Sequence, residues 1–180
     1  MSAVANVISF GGAGVASGSG PAAPDIPRPT PVASLPSSGA KIVDVFFGTD
    51  ESTVCQPGDR QFVLTEVPNL YVCVAYKGLS GKYGEELTFV LPDGHVYQTM
   101  PVPFMTHDVP PTADPTVDVG GRSLPATRAG WGANGTALVT AALPVSGTFI
   151  TQYSLAGVWT VQVALDGRRV GQDNFELFKN

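Results

Sequence analysis

The sequence predicts an all-β protein, an antiparallel β-sandwich carried behind a flexible, Pro- and Gly-rich N-terminal arm. Three observations carry that prediction. From Lys41 onward, short runs of β-branched and aromatic residues alternate with turn clusters. No window of about 11 residues keeps apolar side chains at helical spacing without a Gly or Pro break. Two Asp-Gly pairs, Asp93-Gly94 and Asp166-Gly167, stand between such runs and mark hairpins.

A length of 180 residues fits one domain plus an extension. Hydrophobic residues make up 43% of the chain, enough for a real core, and only 14% are charged. Gly (21) and Pro (16) are abundant, which many turns and two irregular stretches explain. The first 40 residues contain only two charges, Asp25 and Arg28, and six prolines fall between positions 21 and 36. Such a stretch buries too little side chain to offset its ordering entropy. Residues 1–40 therefore read as a low-complexity arm or as an atypical export segment. The mildly apolar residues 3–16 favour export, while the late first basic residue, Arg28, departs from the usual signal.

Residues 41–180 form the predicted sandwich, with strands expected at 42–47, 61–66, 70–76, 86–91, 96–102, 137–142, 148–153, 158–165 and 170–178. Short strands separated by turns suit a sandwich or a barrel. Pairing Leu91 with Val96 across Asp93-Gly94 places Leu87, Phe89, Leu91, Val96 and Met100 on the core face, with Tyr97 opposite. In the second hairpin Trp159, Val161, Val163 and Leu165 point inward. Phe175 and Leu177 join them only if one extra residue is inserted on the return strand, so a bulge is predicted within 171–174.

Leu155-Ala156-Gly157-Val158-Trp159-Thr160-Val161 resembles the corner and strand F of immunoglobulin-like domains, whose pattern runs acidic-x-Gly-x-Tyr-x-Cys. Gly157 matches, Trp159 takes the aromatic place and Val161 the cysteine place, while Leu155 departs from the acidic residue. With the hairpin that follows, residues 150–178 look like the closing strands of such domains in bacterial surface and envelope proteins. The resemblance implies an immunoglobulin-like sandwich without the usual inter-sheet disulfide. It implies no particular activity, because this fold hosts adhesion, assembly and ligand-binding roles.

Cys55 and Cys73 are the chain's two cysteines. They could staple the start of the domain in an oxidising compartment, or pack as two buried thiols. No C-x-x-C supports a zinc or redox site.

Residues 101–135 are expected to be an irregular loop, with six prolines and the pair Gly120-Gly121. Long connections in compact domains are often functional. Phe104, His107, Asp108 and Trp131 in this stretch are the candidate ligand- or partner-binding residues. Trp131 lies between glycines and serves either as an exposed platform or as a lid over the end of the sandwich. Asp108, Asp114 and Asp118 carry oxygens that calcium could use, but their spacing matches no EF-hand loop, so no metal site is expected.

Catalysis is not expected. The chain has no G-x-S-x-G, and its two histidines, His95 and His107, fall beside a turn and in the loop. The adjacent pair Glu85-Glu86 faces opposite ways on a strand. A net charge of −5, with 10 basic against 15 acidic residues, argues against nucleic acid as a partner. No apolar run is long enough to span a bilayer. The expectation is a non-catalytic structural or interaction subunit of a bacterial envelope or surface assembly, in the periplasm or at the cell surface and without a cofactor. It would bind protein partners, or itself, through arm and loop. The alternatives are an exported carbohydrate- or small-ligand-binding module, and a virion or appendage subunit.

Overall fold

The structure, a computed structural model, describes residues 39–179. The arm expected over residues 1–40 lies, apart from Gly39 and Ala40, outside the described residues.

Twelve strands form the described body: β1 Lys41–Gly48, β2 Gln61–Val63, β3 Asn69–Lys77, β4 Lys82–Val90, β5 Val96–Met105, β6 Thr116–Val119, β7 Arg122–Pro125, β8 Thr127–Arg128, β9 Gly130–Trp131, β10 Ala137–Pro144, β11 Gly157–Leu165 and β12 Arg168–Phe178. One short helix, α1, spans Phe149–Gln152. One sheet has the order β1-β3-β10-β9, a second has β2-β12-β11-β4-β5-β8, and β6 and β7 form a separate two-stranded sheet. In the nomenclature of immunoglobulin sandwiches the first reads A-B-E-D, and the middle of the second reads G-F-C-C′. The β2 strand carries the chain into the second sheet, where it lies parallel to β12. The protein is an antiparallel immunoglobulin-like β-sandwich.

Side chains that recur every second residue build the core. Leu70, Val72, Val74 and Tyr76 of β3 face Trp159, Val161, Val163 and Leu165 of β11 across the sandwich interior. Phe175 fits between Phe47 (5.3 Å between ring centroids) and Trp159 (5.9 Å). The corner before β11 is held by the Trp159 indole, whose Nε1–H donates to the Leu155 carbonyl at 3.0 Å. In immunoglobulin domains a tyrosine hydroxyl makes the equivalent bond back to upstream backbone. Gly157 has φ +128°, and a Cβ there would lie 2.7 Å from Pro92 Cγ, which accounts for glycine in the motif.

Four expectations are corrected. First, the bulge in the last hairpin lies at Val170, between the pairs Val163–Gly171 and Ala164–Arg169, rather than within 171–174. Ile42 reaches across to Gly171, where a Cβ would meet its Cδ1 at 2.8 Å. Second, the turn at Asp93-Gly94 includes Pro92. Leu91 N–H donates to His95 O at 2.8 Å, so Leu91 faces His95 instead of Val96. A bulge at Tyr97 then turns that ring inward against Trp159 (5.4 Å) and leaves Val96 61% exposed.

Third, residues 148–153 are not a strand. Gly147 has φ +75°, and Thr148 Oγ1 accepts from Ile150 N–H at 3.2 Å, so a local cap starts α1 where β-branched residues suggested extension. Fourth, residues 101–135 are largely regular. The β5 strand runs on to Met105, and Gly120 and Gly121, both at positive φ, turn β6 back into β7. Val119 of this hairpin packs on Gly84, where a Cβ would sit 2.7 Å from its Cγ2.

The structure joins Cys55 to Cys73 in a disulfide, with Cα atoms 5.2 Å apart. Cys73 points to the outer face of the first sheet, yet it is fully buried, because the bridge holds the segment after β1 over that face.

Candidate functional site

The candidate site occupies the rim where β5 ends and β8 and β9 begin. Here the sequence-predicted residues separate into three environments.

Phe104 is not a binding residue. It is fully buried, stacked on Tyr76 (5.9 Å) and Tyr83 (5.6 Å). The alternation of β5 carries it inward after Met100 and Val102, so the strand's extension removes it from the surface.

Asp108 is a fastening residue. Its carboxylate accepts from Ser80 Oγ at 2.5 Å and from Thr106 Oγ1. Those two hydrogen bonds, Ser80 first, hold the carboxyl below the usual aspartate range. Thr106 is itself buried: its Oγ1 accepts from Gly81 N–H at 2.7 Å, and its own N–H donates to Gly81 O at 2.9 Å.

Arg128 completes the clamp. Its guanidinium donates to the carbonyls of Thr106 (3.1 Å), His107 (3.2 Å) and Val109 (3.1 Å). A planar fork with five donors suits such a cluster of carbonyls. The loop from Thr106 to Val109 is thus fixed from both sides.

On this fixed loop, His107 meets Trp131 edge to face, with ring centroids 5.1 Å apart and planes at 88°. Trp131 remains 63% exposed. It is anchored by β9, which pairs with Ala137 and Leu138 of β10. The arrangement offers an apolar indole face beside an imidazole on backbone that is held in place. That suits contact with a protein side chain or a sugar ring.

Next to it, a cleft of about 420 Å³ opens between the outer side of β10 and the β8–β9 segment, with Glu51, Ser52, Thr127, Arg128 and Thr140 among its walls. No local pattern points to this cleft, because its walls come from four separate stretches of the chain. A second exposed aromatic feature was also missed. Phe149 and Tyr153 stack at 5.7 Å on α1, and their i, i+4 spacing after Thr148 was the available signal.

Asp108, Asp114 and Asp118 do not converge. Asp114 is turned onto Thr116, and among the described residues no group of three or more His, Cys, Asp or Glu is placed to hold a metal ion. Glu85 and Glu86 do face opposite ways, and Glu85 is sealed in the core. No helix among the described residues is long and apolar enough to cross a membrane.

No protein-family model matches the chain, and no curated protein matches it. Among solved structures, the chain is similar to an immunoglobulin-like protein from Pseudomonas aeruginosa. That match has 12% identity and a TM-score of 0.43, covering 79% of this chain and 99% of the other. An alkylpurine DNA glycosylase from Pseudomonas fluorescens matches at 13% identity and a TM-score of 0.41, covering 77% of this chain. The chain spans only 30% of that enzyme's length. A Niemann-Pick type C2 protein from the Japanese carpenter ant matches at 11% identity and a TM-score of 0.35, covering 79% of this chain and 93% of the other. Likenesses this distant assign no activity to the chain.

Proposed function

We propose that this chain is a non-catalytic interaction subunit of a bacterial envelope or surface assembly, and that it meets a protein partner at the His107–Trp131 surface. The observation that carries the reading is the exposed Trp131. Its edge contact with His107 rests on a loop that Arg128, Ser80 and Thr106 immobilise. Aromatic residues held rigid on a surface are characteristic anchors of protein interfaces. The Cys55–Cys73 disulfide supports a place outside the reducing cytoplasm.

The test is the native mass of the full chain in extracts of the cells that make it. The wild type should migrate in a complex larger than its own dimer. Trp131→Ala and His107→Ala should release it from that complex. Unchanged migration of both variants overturns the reading.

A second reading has one specific observation behind it, the cleft of about 420 Å³ beside β9, with both polar and apolar walls. That volume suits a small ligand. The chain would then be an exported carbohydrate- or small-ligand-binding module. Glycan-panel binding that is lost in Thr140→Trp, which fills the cleft, but kept in Trp131→Ala would favour it over the protein-partner reading.

A further inference from the structure

The two flanks of the sandwich differ. On one flank the chain crosses from β1 to β2, Phe62 is buried, and Ile42 packs on Gly171. On the other flank β10 of the first sheet faces β5 of the second. The crossover from β8 to β9 closes only part of it, with Ala129 buried and its N–H donated to Met105 O at 2.9 Å. Beyond that crossover Tyr97, Met100, Val102 and Ala141 pack against the core and yet stay only half-buried. The core is thinly covered along that part of the flank.

Two strand edges border this opening, and they are not alike. A bare edge is a template for pairing, and folded proteins block it with charges, prolines or bulges. The β5 edge carries Pro101 and Pro103. The β10 edge has no such block. It is covered by β9 only at Ala137 and Leu138, and Thr140-Ala141-Ala142-Leu143 has no charge, no proline and no bulge against β3. Thr136 O accepts from Gly132 N–H on the β9 side at 2.8 Å. Two-residue periodicity turns the N–H and C=O of Thr140 and Ala142 to that same side, where no described residue takes them.

We propose that this opening receives residues 7–11 of a second copy of the chain, added as a strand antiparallel to β10. Val7-Ile8-Ser9-Phe10 has the composition of a short strand, and Gly11 and Gly12 follow it. With Ser9 opposite Ala142 and Gly11 opposite Thr140, each pair exchanges two N–H···O=C bonds, and all the orphaned groups are satisfied. Ile8 and Phe10 then stand opposite Leu143 and Ala141, the residues of β10 that face the core, and turn their side chains between the sheets. Phe10 lies over the small Ala141. The slot opposite Leu138 belongs to Gly130, so the added strand must leave the sheet before it. Gly12 and Gly14 permit the bend. At the other end Val7 meets Pro144, which has no N–H to offer. Neither segment carries a charge, so copies of net charge −5 meet without like charges at the seam.

The length of the connecting chain favours a second copy. The window lies about 25 Å from Lys41, by strand rise and spacing. Six prolines fall within residues 21–36, and proline at that density favours extended backbone of about 3.1 Å per residue. Sixteen such residues cover about 50 Å, past the chain's own window and out to a neighbour's. The contact is head-to-tail, so copies add into a ring or a linear array. It goes beyond the Trp131 reading and does not rest on it, because every variant below leaves Trp131 and His107 intact.

The test is sedimentation equilibrium of the full chain over a concentration series, with amide hydrogen exchange on the same samples. The wild type should be a multimer that dissociates on dilution, with the Thr140 and Ala142 amides losing protection as it does. Ile8→Asp with Phe10→Asp changes the inserted segment outside the sandwich, and Ala142→Pro removes a receiving donor that faces away from β3. Each should be a monomer with the near-ultraviolet spectrum of the native fold. An equimolar mixture of the two has one intact segment and one intact edge, and should give a one-to-one dimer. The proposal is overturned by a wild-type monomer at every concentration, by a multimer that survives Ile8→Asp with Phe10→Asp, by a mixture of folded variants that stays monomeric, or by assembled chain from producing cells that lacks residues 7–11. Should Ala142→Pro misfold, the segment variant and the wild-type amide protection still decide.

Discussion

The Tyr76 hydroxyl donates a 2.6 Å hydrogen bond to Glu85 Oε2 inside the sandwich, between β3 and β4. Both side chains are buried, and Glu85 Oε1 has no partner among the described residues. Burial drives the Glu85 carboxyl up from an ordinary 4.5 to about 8, with the Tyr76 bond pulling the other way. Burial and the neighbouring carboxyl likewise hold the Tyr76 phenol far above its ordinary range.

A pH dependence of stability follows. Below 4.5 Glu85 is protonated in folded and unfolded chains alike, and its contribution is fully present. Between 4.5 and about 8 the unfolded chain releases a proton that the folded chain keeps, so stability falls as pH rises through that window. The loss should be on the order of a few kcal/mol by the top of it. Urea unfolding from pH 4 to pH 9 measures this. Glu85→Gln, which still accepts from Tyr76 and cannot ionise, should flatten the curve, and an equally steep curve would rule out Glu85 as its source.

The corner before β11 gives a second prediction. Trp159→Phe removes the donor to Leu155 O and shrinks a fully buried ring. It should cost about 2–4 kcal/mol, from the orphaned carbonyl and the cavity together. Denaturant midpoints at constant m-value read the loss.

Two glycines separate steric clash from backbone strain. At Gly94, φ is +88° and a Cβ would meet nothing within 4 Å, so Gly94→Ala should cost about 1 kcal/mol through the backbone alone. At Gly157, φ is +128° and the added Cβ meets Pro92 Cγ at 2.7 Å. Gly157→Ala should cost at least about twice as much. Thermal unfolding of the two variants side by side gives the ranking, and equal effects would contradict the Pro92 contact.

The disulfide closes a loop of sequence separation 18 and pins the segment after β1 over Cys73. Reduction, or Cys55→Ser with Cys73→Ser, should destabilise by about 3 kcal/mol on the loop-entropy account. Unfolding with and without a reductant measures the difference. No change would mean the outer face of β3 is held by packing alone.

These predictions also show what was legible in the chain. The inward row Trp159, Val161, Val163 and Leu165 could be read because strand alternation has period two and needs no knowledge of partners. The order of the sheets agrees with the motif around Gly157 and Trp159 for the same reason, since that corner is local. Tyr97 and the bulge of the last hairpin lie elsewhere than the sequence places them, because each depends on where a single extra residue falls, which local alternation does not encode. Prolines at 101 and 103 read as a loop and so point Phe104 to the surface. On an edge strand those prolines cost no ladder bond. His107 and Trp131 were both named, but nothing local told which would meet. Their contact is made by the Arg128 clamp and by β9, which only strand pairing creates.

Site-specific photo-cross-linking tests Trp131 as a partner contact directly. A photoreactive side chain is placed at Trp131 in the full chain, and separately at Val96, which is as exposed (61% against 63%) but lies at the Asp93-Gly94 hairpin. Irradiation of producing cells should give a discrete protein adduct from position 131, absent from position 96 and lost when His107→Ala is added. No adduct at 131, or the same adducts from both positions, would mean that Trp131 is not a partner contact.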